Sequence, residues 1–536
     1  MAKKNLLTHG KKAKAERWAL ANRLEEAEPL YASVCKSDPM DIESWVKLAV
    51  IQSRLGRFNE AESSVRRALR LAPSLSFARH TLATILQRQG KADEASTLLE
   101  EALALHPDSA EDLINLARLR EKQGRGKDAF ALYHRALALL PESPYLLAKA
   151  GELLEREGRL MEANAAIARG LRTNPDQPEL NLVAARLERH AGRHAEAAKR
   201  LEAMLGYPLS TDTGTKLHIL LGQLHDQLGN TGQALSHLLT GKRRSALAND
   251  PDGQGRSRFL AWVDQAHDGA NADLTAFFQA DPIQPAESPI FLIGFPRSGT
   301  TLIERVLDSH PALQAMEEKP AAAIMEQAFL RMSSGVLANL TQAQIGELRQ
   351  VYLDSVANHL ERRTGCQLVD KHPLHTIRVP LLLRVFPQAK FILAIRHPCD
   401  VILSVMMQNI GANQALPEIA SLQDAAEIYA RFMGAWREYA ERLPLRWQRI
   451  RYEDLITNFE PEVRTLLDFL EVGWDASVLD HTRHAENHAL TGTPNYPQVT
   501  QPIYQHARYR WMRYAKEFEP VMETLRPFIE YFGYSE

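Results

Sequence analysis

The sequence predicts an α-helical solenoid followed by an α/β domain with a parallel sheet, and three observations carry that prediction. Glycines recur every 34 residues through the first half, at Gly56, Gly90, Gly124, Gly158 and Gly192. After Pro289 the pattern changes to short apolar runs separated by amphipathic stretches. The first of those runs, PIFLIGF, leads through a glycine-bearing turn into a helix, PRSGTTLIERVLDS. Chains build seats for anions in this way.

In the first half, small residues keep the glycine step at Ala61, Ala95, Ala129, Ala163 and Ala197, and prolines keep it from Pro39 to Pro175. One unit, DIESWVKLAVIQSRLGRFNEAESSVRRALRLAPS, has apolar positions at helical spacing on both sides of its glycine. This is a helical hairpin: glycine takes the left-handed turn that closes the first helix, small residues let the second approach, and proline ends it. The period resembles the tetratricopeptide repeat. With a degenerate copy near residues 7–40 and a slipped one around Gly229 and Ala234, about seven repeats fill residues 1–244. Stacked hairpins form a groove, which fits a docked peptide or partner protein; a purely structural arm is the alternative. Residues 245–287 lose the period and read as a linker or cap, with SRFLAWVDQA as a helix between two turn-rich segments.

Composition limits what else the chain does. Its 536 residues exceed one core, with 45% hydrophobic and 24% charged residues. A formal net charge of -2 gives no sign of a nucleic-acid or membrane partner. Cys35, Cys366 and Cys399 are too few for a disulfide framework, which fits a reducing compartment. The basic start, MAKKNLLTHGKKAKAERW, lacks an apolar signal core, and no apolar run reaches membrane-spanning length. The expected location is cytoplasmic. The oligomeric state is left open, a homodimer included.

In the second half, PIFLIGF, CQLVD, AKFILAI and LRWQRIRY are continuous apolar runs, as expected for strands covered on both faces. Helical segments alternate with them, so ligands should bind beyond the strands' carboxyl ends. Gly294 and Gly299 frame the turn and are followed by Thr300 and Thr301, giving G-x-x-x-x-G-T-T where the nucleotide loop has G-x-x-x-x-G-K-[ST]. The lysine that reaches β- and γ-phosphates is replaced by Thr300, while Arg297 offers a planar fork for phosphate or sulfate. A second constellation follows AKFILAI: Arg396, then Ser404 two helical turns on, spaced to grip another phosphate.

PRSGTTL resembles the 5′-phosphosulfate loop of sulfotransferases, and IRHPCDVILS resembles their 3′-phosphate motif. The DSHP after the loop and the later DKHP are most similar to tyrosylprotein sulfotransferases. The resemblance covers residues 288–536 and implies a P-loop-like sulfotransferase domain using 3′-phosphoadenosine-5′-phosphosulfate. It further implies donor contacts from Arg297, Ser298, Gly299, Thr300 and Thr301 at one end, and from Arg396 and Ser404 at the other. Tyr452 in RYEDL matches a tyrosine that touches the nucleotide, and Arg510 stands for a donor-binding lysine. In the same late segment Gln498, Val499, Pro502 and Trp511 match, whereas Tyr496 replaces a serine that helps the leaving group. For catalysis the resemblance implies Glu318 as general base, Lys371 steadying the bridging oxygen, and Arg297 on the transferring group.

Each role has a plainer alternative. Glu317 and Glu318 read equally as solvated carboxylates at a helix start, with Glu317 expected to be the solvated one of the pair. Asp370 reads as a partner for Lys371. His481, His484 and His488 lie in a polar stretch and are not expected to bind metal, so no metal enters the reaction. The acceptor is a hydroxyl, a peptide tyrosine among them, with a carbohydrate or small phenol as the alternative. A repeat scaffold whose transferase domain binds donor without turnover is a reading of another class.

Overall fold

The structure, a computed structural model, describes residues 2–270, 288–333, 336–408, 416–480 and 508–535. Two compact units divide the chain, Met1–Leu187 and Glu188–Glu536. The helical half is built from α1 (Ala2–Leu20), α2 (Leu24–Ser37), α3 (Ile42–Arg54), α4 (Phe58–Leu71), α5 (Ser76–Arg88), α6 (Ala92–Leu105) and α7 (Ala110–Lys122). It continues through α8 (Gly126–Leu139), α9 (Pro144–Arg156), α10 (Leu160–Thr173), α11 (Pro178–His190), α12 (His194–Met204), α13 (Thr211–Gln227) and α14 (Thr231–Asn249). These make seven hairpins among the described residues. The repeat glycines all take φ between 74° and 80°. At Gly56 the Arg57 amide donates back to the Gln52 carbonyl at 2.9 Å, closing the first helix, and Lys91 and Arg125 repeat the bond one and two periods on. Ala61, Ala95, Ala129 and Ala163 are fully buried, which is the close helix approach their spacing predicts.

In the second unit α15 (Gln254–Ala270) sends Phe259, Trp262 and Val263 into the core of the α/β region, so SRFLAWVDQA docks on that region. Its sheet alternates with helices: β1 (Ile290–Gly294), α16 (Thr300–Asp308), β2 (Leu313–Glu317), α17 (Ala321–Ser333), α18 (Gln342–His359), β3 (Gln367–Lys371) and α19 (His375–Val385). Then come β4 (Lys390–Ile395), α20 (Pro398–Met406), α21 (Leu422–Arg442), β5 (Arg446–Arg451), α22 (Tyr452–Thr457), α23 (Phe459–Leu470) and a C-terminal helix, Ala515–Tyr531. The strand order is β2-β3-β1-β4-β5 and every pairing is parallel. From β1 the chain jumps to the edge strand β2, returns inward through β3, then crosses to β4 and β5 on the other side, so the carboxyl end of β1 is a topological switch point. The four apolar runs are all strands. Leu-Gln-Ala-Met-Glu is a fifth that the pattern hid, because its residues favour helix and only pairing with β3 extends it.

The seventh hairpin is part of this second core. Helix α14 continues past residue 244 to Asn249, and Ile219, Leu235 and Leu238 pack in the same cluster as the sheet residues. Gln223 Nε2 donates to the Met407 carbonyl at the end of α20 at 2.7 Å. Asp226, 2% exposed, accepts from Arg510, Arg513 and Tyr514 near the C-terminus. A chain beginning at Glu188 keeps these contacts, whereas one beginning at residue 245 loses them. Breaking a buried ion pair by removing one partner costs about 3–5 kcal/mol, and larger domains shift about 2–4 °C per kcal/mol. Scanning calorimetry should therefore find the shorter chain melting about 10 °C or more below the longer one; equal melting temperatures would show that the hairpin is dispensable.

Candidate active site

The loop after β1 is forced to be thin. A Cβ on Gly294 would stand 2.4 Å from the Ala394 carbonyl oxygen of β4, and one on Gly299 would stand 2.8 Å from the Tyr452 ring. Gly299 also takes φ 96° as it starts α16, and Arg297 takes φ 77°. Ser298, Thr300 and Thr301 are buried beneath the loop. The first amides of a helix have no intrahelical acceptor, so this turn presents donors to an anion.

The second motif meets the first directly. Arg297 Nε donates to Ser404 Oγ at 3.1 Å, joining the loop to α20. Arg396, buried at the end of β4, lies over the Tyr452 ring at 4.9 Å from its centroid, and the same ring covers Gly299. The loop, Arg396 and the RYEDL tyrosine thus form one contiguous patch. His397, just after Arg396, caps α20 by accepting from the Cys399 amide and stacks on Trp511 at 4.9 Å. Buried Glu453 accepts from the His397 amide at 2.9 Å and from Tyr534 at 2.7 Å, fixing the turn after β4 from below.

Lys371 ends β3, opposite Leu292 of β1 and Glu317 of β2. Its side chain is fully buried, and Nζ lies 2.8 Å from Glu318, 3.2 Å from Glu317 and 3.1 Å from Glu304. Burial alone would lower its pKa, but the three carboxylates outweigh it and the ammonium is held above its usual value. Glu304, on α16, is pushed up to about 7, chiefly by burial, with Lys371 opposing and Glu317 adding to the rise. Glu318 follows β2 with its amide donating to the Lys371 carbonyl at 2.8 Å and its backbone at φ 46°. Non-glycine residues held at positive φ concentrate at functional sites, and Arg297 and Glu318 are two of the five among the described residues.

Three expectations change. The glutamate pair does not start a helix; Glu317 closes strand β2. Glu317 is the buried member, its side chain 14% exposed against 41% for Glu318, because strand alternation turns Glu317 inward onto Lys371. Asp370 does not pair with Lys371, since alternation sends it to the opposite face, where it meets His375 at 3.1 Å and Tyr352 at 2.8 Å. Arg510 directs Nε and Nη2 onto the carboxylate of Asp226, so the structure ties it to the seventh hairpin. Tyr496, Gln498, Val499, Pro502, His481, His484 and His488 lie outside the described residues. Among the described residues no cluster of His, Cys, Asp or Glu is placed to hold a metal, and no helix is long and apolar enough to cross a membrane. Sequence reasoning missed Glu304, Glu453 and Asp226. Glu304 alone left a trace, as a carboxylate within the apolar-rich stretch TTLIERVL.

Comparison with known proteins agrees with this layout. Residues 289–476 match the sulfotransferase family, and residues 41–108, 80–144 and 120–187 match tetratricopeptide repeats. An uncharacterized protein of Aquifex aeolicus is 28% identical over 253 residues, covering 45% of this chain and 33% of that protein. Protein-tyrosine sulfotransferase 1 of Danio rerio is 26% identical, over 46% of this chain and 72% of its own length. The Homo sapiens protein of the same name is 27% identical, over 46% and 69%. This chain thus spans a third of the Aquifex relative's length and about seven tenths of the two vertebrate ones. A tetratricopeptide repeat protein from Parabacteroides merdae matches at TM-score 0.36 and 17% identity, over 44% of this chain and 91% of that one.

The raised pKa of Glu304 has a signed consequence for stability. Between the ordinary carboxyl value of 4.5 and about 7, the folded chain holds a proton that the unfolded chain releases. Stability from this group is therefore present at low pH and is lost as pH rises through that window. Glu304→Gln removes the titration. Its melting temperature, followed from pH 4.5 to 7.5, should gain on wild type as pH rises; parallel profiles would mean that Glu304 ionises in the folded state as in the unfolded one.

Proposed function

We propose that this chain, a sulfotransferase-family domain joined to tetratricopeptide repeats, transfers a sulfuryl group from 3′-phosphoadenosine-5′-phosphosulfate to a peptide tyrosine. One observation carries the reading: three segments far apart in sequence, the loop, the segment from Arg396 to Ser404 and RYEDL, meet through Arg297, Ser404, Tyr452 and Gly299. A donor with a phosphosulfate at one end and a 3′-phosphate at the other matches that pair of linked anion seats. Thr300 in place of lysine argues against a nucleoside triphosphate. The tyrosine acceptor rests on the names of the vertebrate relatives. The repeats supply the docking surface for the protein that carries it.

In this reading Glu318, the exposed member of the cluster, takes the proton of the acceptor hydroxyl. Lys371 shifts its charge toward the oxygen that bridges sulfur and phosphorus as that bond lengthens. Arg297 meets the non-bridging oxygens, with its Nε braced on Ser404. Burial of Lys371 matters here, since a charge in a dry site acts more strongly on a developing anion than one in water. Glu304 and Glu317 hold the ammonium at the strand end before donor arrives.

Labelled donor tests the activity itself: label should enter a tyrosyl peptide, and label entering only small phenols or sugars would replace the acceptor. Calorimetry separates the donor classes, because adenosine 3′,5′-bisphosphate should bind where ATP–Mg²⁺ does not. Arg297→Ala and Arg396→Ala should each weaken that binding by about 1.5–3 kcal/mol, the range for a charge-assisted bond. The loss at Arg396 should shrink for a ligand without the 3′-phosphate.

Glu318→Gln should cut turnover about a hundredfold or more, as removing a general base does, with donor affinity nearly unchanged. A tyrosine hydroxyl, with a pKa near 10, softens that loss relative to an alcohol. Glu317→Gln should cost less, acting only through Lys371. Wild-type turnover in Glu318→Gln would move the base elsewhere.

A further inference from the structure

The seventh repeat hairpin reaches the candidate donor site by two routes, one through the carboxylate of Asp226 and one through Gln223. Asp226, at the end of α13, accepts from Arg510 Nε at 3.2 Å and from Arg510 Nη2, from Arg513 Nη2 at 2.5 Å, and from Tyr514 at 2.6 Å. These three donors belong to one short 3-10 turn, Arg510–Tyr514. From its other side the turn grips the second motif: the Trp511 amide donates to Asp400 Oδ1 at 2.9 Å, and the Trp511 ring stacks on His397. Asp400 lies in α20 between Arg396 and Ser404, and His397 directly follows Arg396. A second bond from the same helix, Gln223 to the Met407 carbonyl, holds the far end of α20.

The pairing with Asp226 uses Nε and one Nη of Arg510, leaving its other Nη edge on a side chain that is 28% exposed. A guanidinium fixed on one edge by a buried carboxylate is aimed on the other, the geometry that suits bidentate phosphate recognition. We infer that Asp226 is a positioning residue for the donor: from the last repeat it aims Arg510 and braces the turn that holds Arg396 and Ser404 in place. This rests on the donor reading above and adds to it. The seventh hairpin is then part of the nucleotide site as well as the end of a docking array.

Asp226→Asn keeps the side chain's shape and removes its charge. In calorimetry on the full chain, affinity for adenosine 3′,5′-bisphosphate should fall about tenfold or more, the scale of one charge-assisted bond, while adenosine 5′-monophosphate binding changes far less. Arg510→Gln should give the same selective loss, and the double variant should be no weaker than the weaker single, because the two act through one contact. Arg513→Gln, which shares Asp226 but is more exposed, should keep the wild-type ratio of the two ligands. A merely structural role would lower both ligands together or neither, and either result overturns the inference. Should Asp226→Asn fail to fold, Arg510→Gln decides alone, since that side chain is part-exposed: a wild-type ligand ratio refutes the assignment. A wild-type chain that binds neither ligand would sink the donor reading and this inference with it; a wild-type chain that binds the bisphosphate while Asp226→Asn binds it equally would sink this inference alone.

Discussion

An ammonium group without water needs anions around it, and much of the second unit is arranged to supply them to Lys371. Its side chain is fully buried at the end of β3, and three carboxylates reach it, one from α16 and two from the end of β2 and the turn after it. For Glu317 to arrive, β2 must pair with β3 in register, Glu317 opposite Lys371. For Glu318 to arrive, the chain must turn through φ 46° immediately afterwards. For Glu304 to arrive, α16 must pack beside β2 and β3 after the thin loop. Burial, with Glu317 nearby, pushes Glu304 up to about 7, against the pull of Lys371. Removing Lys371 would leave the buried carboxylates without their cation, so these placements depend on that one ammonium.

The region around Arg396 is built on a different principle. There a ring layer does the holding: His397 lies between Trp511 and Tyr534, and Tyr452 supports Arg396. Arg451 sits over the Tyr534 ring, 4.1 Å from its centroid, beside the carboxylate of Glu453. Flat rings and a buried carboxylate fix the turn after β4. The two halves of the site meet at the Arg297–Ser404 bond.

Much of this was legible in the sequence wherever a rule acts on neighbours. The glycine period marked five of the seven hairpin turns, because the left-handed closure is a local demand of the backbone; Asn22 takes that role in the first. The four buried strands showed as apolar runs, and Gly294 and Gly299 showed as a loop because nothing larger fits. What stayed hidden depends on partners distant in the chain. β2 is extended by its pairing with β3, against the preference of its own residues. Glu317 and Glu318 look alike in AMEEKP, and only strand alternation decides which is buried. Asp226, in LHDQLG, reads as the polar end of a repeat helix; its partners are 284 to 288 residues away. Arg510 was legible as a cation but not as one already paired.

Repeat arrays are held by contacts between successive units, so hairpins can be duplicated or deleted with little effect beyond their neighbours. The seventh hairpin here lacks that freedom, because Ile219, Leu235 and Leu238 belong to the core of the α/β region and Asp226 to its C-terminal turn. Copy number can therefore drift in steps of 34 residues upstream, while the terminal copy is inherited with the transferase-like domain as one block. A graft of this array onto another protein, or of another array onto this domain, has its natural seam ahead of the last hairpin, not behind it.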